Sequence, residues 1–223
     1  MDIPKPSRMA PLRTDFIAKM ERQPYDVDLD GLHLTVGKDV FMPDFGLSAR
    51  NLAIYAADYK PARALEIGCG SGYIALQMKW NGAGEVWAAD LHGPAVECTR
   101  KNVEQNPQAG PVTVVQSDLF GNIPAGEKFD LILFNQPYGP GDERRVCGCG
   151  EDGGYDICKR FMLTAPPYMN EGAVLLMSFS DRAPAEHDPK AVAEELGYRV
   201  TTLLHAFYGN ANNFIYEIRL PAV

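Results

Sequence analysis

The sequence predicts an α/β fold: one open, mostly parallel sheet of seven strands, covered by helices on both faces and finished by an antiparallel C-terminal strand. Three observations carry this. Short apolar, β-branched runs recur at residues 62–68, 85–90, 112–118, 129–135, 173–180, 199–207 and 214–220, most of them separated by helix-length segments. The runs are continuously apolar rather than alternating, as in Leu131, Ile132, Leu133 and Phe134, which suits strands buried on both faces. The last two runs are joined only by residues 208–213, too few for a crossover helix, so they form an antiparallel pair.

The elements follow in order. Residues 14–23 read as a short helix capped by Thr14. Residues 32–36 and 40–42 flank the turn-forming trio Gly37, Lys38 and Asp39 and read as a hairpin. A helix capped by Ser48 covers 48–59, and the segment 72–80 sets Ile74, Leu76, Met78 and Trp80 near one apolar helical face. Pro94 suits a first helical turn, and that helix ends before Pro107. A chain of 223 residues holds one well-buried core. Residues 1–45 are expected to form an N-terminal helix and hairpin extension, and 46–223 the main domain.

With 46% hydrophobic and 22% charged residues, the composition is globular. The formal charge of -8 provides no field for phosphodiesters, which disfavours nucleic acid as a partner. Five cysteines, an odd number running from Cys69 to Cys158, make no disulfide framework and suit reduced thiols in a cytosol. The first residues carry no apolar secretory core and no run of about 18 apolar residues occurs, so a cytoplasmic protein without a membrane span is expected. Cys147, Cys149 and Cys158 lack a paired ligand motif, and His33, His92, His187 and His205 form no spaced cluster, so no metal is expected.

Chemistry gathers at the strand ends. Gly68, Gly70 and Gly72 stand at the first strand-to-helix turn, where absent side chains admit a ligand to the backbone and to the helix amides. Asp90 ends the second strand, the position from which an acid can accept both hydroxyls of a ribose. The third strand ends in Ser117 and Asp118, beside the same crevice. The fourth ends in Asn135, Gln136, Pro137 and Tyr138, two amides, an imide and an aromatic ring where the chain leaves the sheet.

An acid, Glu66, precedes the glycine turn, which continues Gly-Ser-Gly-Tyr rather than Gly-x-x-Gly. The segment LEIGCGSGYIAL, the strand-end Asp90, then SDLF and FNQPYG, in that order and spacing, resemble class I S-adenosylmethionine-dependent methyltransferases of Rossmann-like fold. The resemblance is closest to the group whose fourth strand ends in Asn-Pro-Pro-Tyr, especially the HemK-type protein glutamine N5-methyltransferases. It implies that S-adenosylmethionine is held by Glu66, Gly68, Cys69, Gly70, Gly72 and Tyr73, by Asp90 and Leu91, by Ser117, Asp118 and Leu119, and by Asn135. It implies that Asn135, Gln136, Pro137 and Tyr138 form the catalytic loop, with the Asn135 side-chain oxygen and the carbonyl of residue 136 accepting from an NH2 group while Tyr138 borders its plane. The expected acceptor is an amide, amidine or amino nitrogen of a protein side chain or small molecule. An RNA or DNA amino-methyltransferase and a non-catalytic cofactor-binding subunit are the alternatives.

The sequence departs from the group at two places, Gln136 and the segment after Asp44. Gln136 replaces the usual proline; it keeps the backbone carbonyl and adds an amide expected to reach the substrate and alter its choice. Pro43 and Asp44 are followed by Phe45, which either covers the cofactor or packs in the core. Residues 139–161 resemble the variable loop that borders the substrate, where Arg144 and Arg145 either hold a carboxylate or are solvated.

Overall fold

In the computed structural model, which describes residues 10–45, 47–137, 155–208 and 211–221, all seven predicted runs become strands of one sheet. The described residues begin with helix α1 (Ala10–Met20) and a hairpin of β1 (Tyr25–Leu29) and β2 (Leu32–Val36), followed by α2 (Ser48–Ala57). Then come β3 (Arg63–Ile67), α3 (Tyr73–Trp80), β4 (Glu85–Asp90), α4 (Gly93–Gln105), β5 (Thr113–Gln116) and β6 (Phe129–Phe134). The C-terminal half adds α5 (Tyr155–Thr164), β7 (Met169–Ser180), α6 (Pro189–Glu195), β8 (Arg199–Tyr208) and β9 (Ala211–Arg219). The sheet order is β5-β4-β3-β6-β7-β9-β8, parallel throughout except that β9 runs antiparallel to both of its neighbours.

Both sheet faces are buried, which is why these strands read as unbroken apolar runs. On β6, Ile132 and Phe134 enter a core with Phe161 and Met162 of α5 and Val192 of α6. Leu131 and Leu133 point the other way, into a core with Leu52 of α2 and Ile74, Leu76 and Met78 of α3. Leu131, Ile132 and Leu133 are fully buried, and each contributes about 1.5–3 kcal/mol of burial free energy.

Four local expectations are corrected. β2 pairs with Tyr25–Leu29, not with residues 40–42, around the two-residue turn Asp30–Gly31. Both turn residues have positive φ (49° and 86°), the geometry that matches the twist of a hairpin. Thr14 lies inside α1 rather than at its cap. Leu47, not Ser48, is the N-cap of α2, and no side chain caps it. In α3, Tyr73 to Met78 are all buried while Trp80 is 46% exposed, because the short helix is wedged between sheet and hairpin instead of showing one apolar stripe.

The hairpin is attached by side-chain amides. Asn102 of α4 accepts from the Thr35 N–H at 2.8 Å and donates to the Thr35 carbonyl at 2.9 Å. One turn later, Asn106 accepts from the His33 N–H at 2.9 Å and donates to its carbonyl at 2.8 Å.

Candidate active site

The parallel strands end along one edge, and the cavity there is lined by residues from four of them or from the turns that follow. Of the predicted site residues within the described chain, all but Gly72 line it. Tyr138 lies outside the described residues, as do Arg144, Arg145, Cys147 and Cys149.

The glycine turn lacks side chains for different reasons at each position. Gly68 and Gly70 line the cavity with φ of 69° and 55°, a region that side chains disfavour. A Cβ at Gly68 would lie 3.2 Å from the Phe134 ring. Gly72 (φ 78°) faces α4 instead, where a Cβ would meet the Thr99 methyl at 2.7 Å. The Thr99 hydroxyl donates to the Gly70 carbonyl at 3.0 Å and lies 3.3 Å from the buried Cys69 thiol. Thr99 therefore braces the turn from behind, a role that its place 29 residues downstream of Gly70 did not reveal.

Two acids frame the turn. Glu66 is buried and accepts from the Ala75 N–H of α3 at 2.8 Å, tying strand to helix; burial holds its carboxyl well above the usual range. Asp90 accepts from the Gly70 N–H and from the His92 N–H, each at 2.9 Å. Burial raises its pKa, and these two backbone donors oppose the rise without reversing it. Each carboxylate oxygen keeps a further lone pair for a ligand hydroxyl.

The third strand ends beside the same cavity, as expected. The Ser117 hydroxyl donates to the Leu119 carbonyl at 2.8 Å and accepts from the Asn122 N–H at 2.9 Å, so it builds the turn that brings Leu119 to the cavity. Asp118 lines the cavity while its carboxylate pairs with Arg160 of α5 at 2.7 Å. The Tyr73 hydroxyl donates away from the cavity, to Asp30 in the hairpin turn at 2.6 Å.

At the end of β6, the Asn135 side-chain oxygen accepts from the fully buried Ser178 hydroxyl of β7. The Gln136 side chain is 2% exposed, and its Nε2 donates to the His187 carbonyl at 3.1 Å. Because a carbonyl only accepts, the amide nitrogen must face His187, and the Gln136 oxygen is left buried without a donor. The expectation that this amide reaches the substrate is therefore not met: the side chain anchors its loop to the segment before α6.

The N-terminal segment supplies Phe41 and Pro43 to the cavity, and α2 supplies Ser48 and Ala49. Phe45 does not line it and packs edge-on against Phe16 at 5.1 Å. Asp44 is also engaged elsewhere, by Lys19 and by the Tyr25 hydroxyl, each at 2.6 Å.

A nucleoside with an attached charged chain fits these residues: bare backbone at Gly68 and Gly70 gives close approach, Asp90 accepts hydroxyls, and Leu91, Leu119 and Ile157 supply apolar walls for a base. With an open parallel sheet carrying one inserted antiparallel strand, this defines the class I S-adenosylmethionine-dependent methyltransferases. The chain belongs to the methyltransferase small domain family, whose model matches residues 49–199.

Individual relatives are all named as methyltransferases and differ in acceptor. A Methanocaldococcus jannaschii protein, provisionally named a protein N5-glutamine methyltransferase, is 32% identical over 158 residues, covering 67% of this chain and 76% of that protein. Ribosomal RNA small subunit methyltransferase C of Actinobacillus pleuropneumoniae is 37% identical over 86 residues, covering 38% of this chain but only 25% of that protein. Among solved structures, the T. thermophilus 16S rRNA N2 G1207 methyltransferase in complex with AdoMet and guanosine superposes with a TM-score of 0.66 at 19% identity, covering 88% of this chain and 50% of that one. The protein is an S-adenosylmethionine-dependent methyltransferase. No helix among the described residues is long and apolar enough to cross a membrane.

Proposed function

We propose that this methyltransferase acts on a planar amide, amidine or amino nitrogen, carried by a protein side chain or a small molecule. When bound, S-adenosylmethionine supplies an electrophilic methyl group; the chain's own residues determine what meets it. Asp90, Gly68 and Gly70 would hold the nucleoside end, and Leu91 and Leu119 would border its base. The observation that carries the reading is Asn135, set on the same cavity wall with its amide held by Ser178. Its oxygen, together with the backbone carbonyl of Gln136, would accept both hydrogens of an NH2 group and direct the lone pair of that nitrogen toward the methyl. The same two acceptors favour the positive charge that the nitrogen acquires on attack. No strong base is required, since the proton is released after transfer, through the carbonyls, to water.

The net charge of -8 and the relative named for protein glutamine support a protein or small-molecule acceptor. The expectation that nucleic acid is disfavoured is weakened by relatives named for ribosomal RNA, and these support a second reading, an exocyclic amino group of an RNA base. Tritiated methyl transfer from S-adenosylmethionine to the separated protein, RNA and small-molecule fractions of a cell lysate tests both. Label in protein or small molecules is expected, label confined to RNA selects the second reading, and label in no fraction removes both.

A further inference from the structure

We propose that Ser178 is a positioning residue for methyl transfer, acting through Asn135 to fix the direction of its side-chain amide; the inference rests on the acceptor-orienting role of Asn135 given above. Ser178 sits at the end of β7, after Val174, Leu175, Leu176 and Met177, all buried, and is itself fully buried. A hydroxyl in such a place costs free energy unless it finds a partner. It finds Asn135, 43 positions earlier, donating to its Oδ1.

That bond has a directional consequence. The terminal torsion of an asparagine is broad and nearly two-fold, so an amide at a cavity wall can present oxygen or nitrogen to a ligand. A serine hydroxyl can donate or accept; as placed here it donates to Oδ1, so the amide stands with its oxygen toward β7 and one of the two Oδ1 lone pairs is occupied. The other lone pair stays available to accept from the NH2 group of an acceptor. The hydroxyl belongs to a residue in the sheet rather than in the loop, and β7 pairs with β6 directly up to Phe134–Met177. The position of Asn135 is thereby referred to the sheet, which also carries the glycine turn and Asp90. A site held on strands keeps its geometry more closely than one held on loops. Ser178 touches neither cofactor nor acceptor in this scheme.

The test measures tritiated methyl transfer into the lysate fraction that the parent protein labels, with cofactor affinity followed by calorimetry. Ser178→Ala should lower kcat about tenfold, as expected when a reacting group loses its alignment, and leave S-adenosylmethionine affinity and acceptor KM within about twofold. Ser178→Thr, which retains the hydroxyl, should recover most of the rate. Ser178→Cys, near in size but a weak donor, should fall between and serves if the Ala variant loses cofactor binding. In an Asn135→Ala background, Ser178→Ala should cause no further loss. An unchanged kcat for Ser178→Ala beside a strong loss for Asn135→Ala overturns this inference and leaves the reading of Asn135 intact. Losses that multiply in the double variant also overturn it, because the serine then acts independently. If Asn135→Ala itself transfers at the parent rate, the function proposed for that residue fails, and this inference with it.

Discussion

The Thr99 methyl of α4 occupies the space that a side chain at Gly72 would need, 2.7 Å from the position of its Cβ. Gly72→Ala must therefore both overpack this contact and accept a left-handed backbone, at a combined cost of about 2–5 kcal/mol. Thermal denaturation should show that loss. Thr99→Ser, which removes the methyl but leaves the hydroxyl 3.1 Å away, should restore part of the stability of the alanine variant. No restoration would mean that the backbone conformation alone excludes a side chain there.

Asp90→Ala removes the acceptor proposed for ligand hydroxyls together with the partner of the Gly70 and His92 amides. Charge-assisted hydrogen bonds of this kind contribute about 1.5–3 kcal/mol, so affinity for S-adenosylmethionine should fall about tenfold or more. Isothermal titration returning the parent affinity would contradict the assignment.

The buried acids set a pH dependence with a definite sign. The Glu66 carboxyl titrates well above its ordinary value, chiefly through burial, so the folded state binds its proton more tightly than the unfolded state. This contribution to stability is complete below the ordinary carboxylate range and is lost as pH rises through the raised folded value. Glu66→Gln keeps an acceptor for the Ala75 amide and has no proton to lose. Its melting temperature should decline less than that of the parent as pH rises above the ordinary carboxylate range. Parallel profiles would show that ionisation of Glu66 does not limit the fold.

Asn135→Ala should separate binding from chemistry. In the proposed scheme the cofactor is held mainly from β3 and β4 and Asn135 meets the acceptor, so S-adenosylmethionine affinity should be nearly unchanged while methyl transfer falls. Single-turnover transfer measured beside calorimetry decides this, and the idea fails if the two decline together.

Gln136→Pro should leave acceptor preference and kcat unaltered, because the backbone carbonyl survives and the lost side chain faces His187 rather than the cavity centre. It should lower stability by about 1 kcal/mol, through one lost hydrogen bond. A changed preference among labelled acceptors would return the glutamine to the list of residues that read the substrate.

What could be read from the sequence depended on the range of the physical signal. Runs such as Leu131 to Phe134 announce a strand by themselves, and the glycine turn and Asp90 follow from their places at strand ends. The hairpin is hard to read from sequence because β1 alternates aspartates with apolar residues, Asp26 and Asp28 between Tyr25, Val27 and Leu29, and because Gly37 to Asp39 carry the same turn-forming residue types as Asp30–Gly31. Thr99, Ser178 and His187 act on Gly72, Asn135 and Gln136 across 27 to 51 positions of chain, a proximity that only the folded sheet creates. Their residue types gave little warning, apart from the hydroxyl of Ser178 in an otherwise apolar strand.

Asn102 of α4 and Asn106 at its C-cap have a consequence for how the protein behaves in a crowded solution. A two-stranded ribbon standing apart from the main sheet offers its outer edge as a template for a foreign chain. Here Asn102 and Asn106 engage the outward N–H and C=O of Thr35 and His33, the groups that an invading strand would use. Spaced one helical turn apart, the two amides act as a mock third strand that ends the ribbon and cannot itself be extended. Protection of the β2 edge is thus carried by the side chains of one helix residue and of its C-cap.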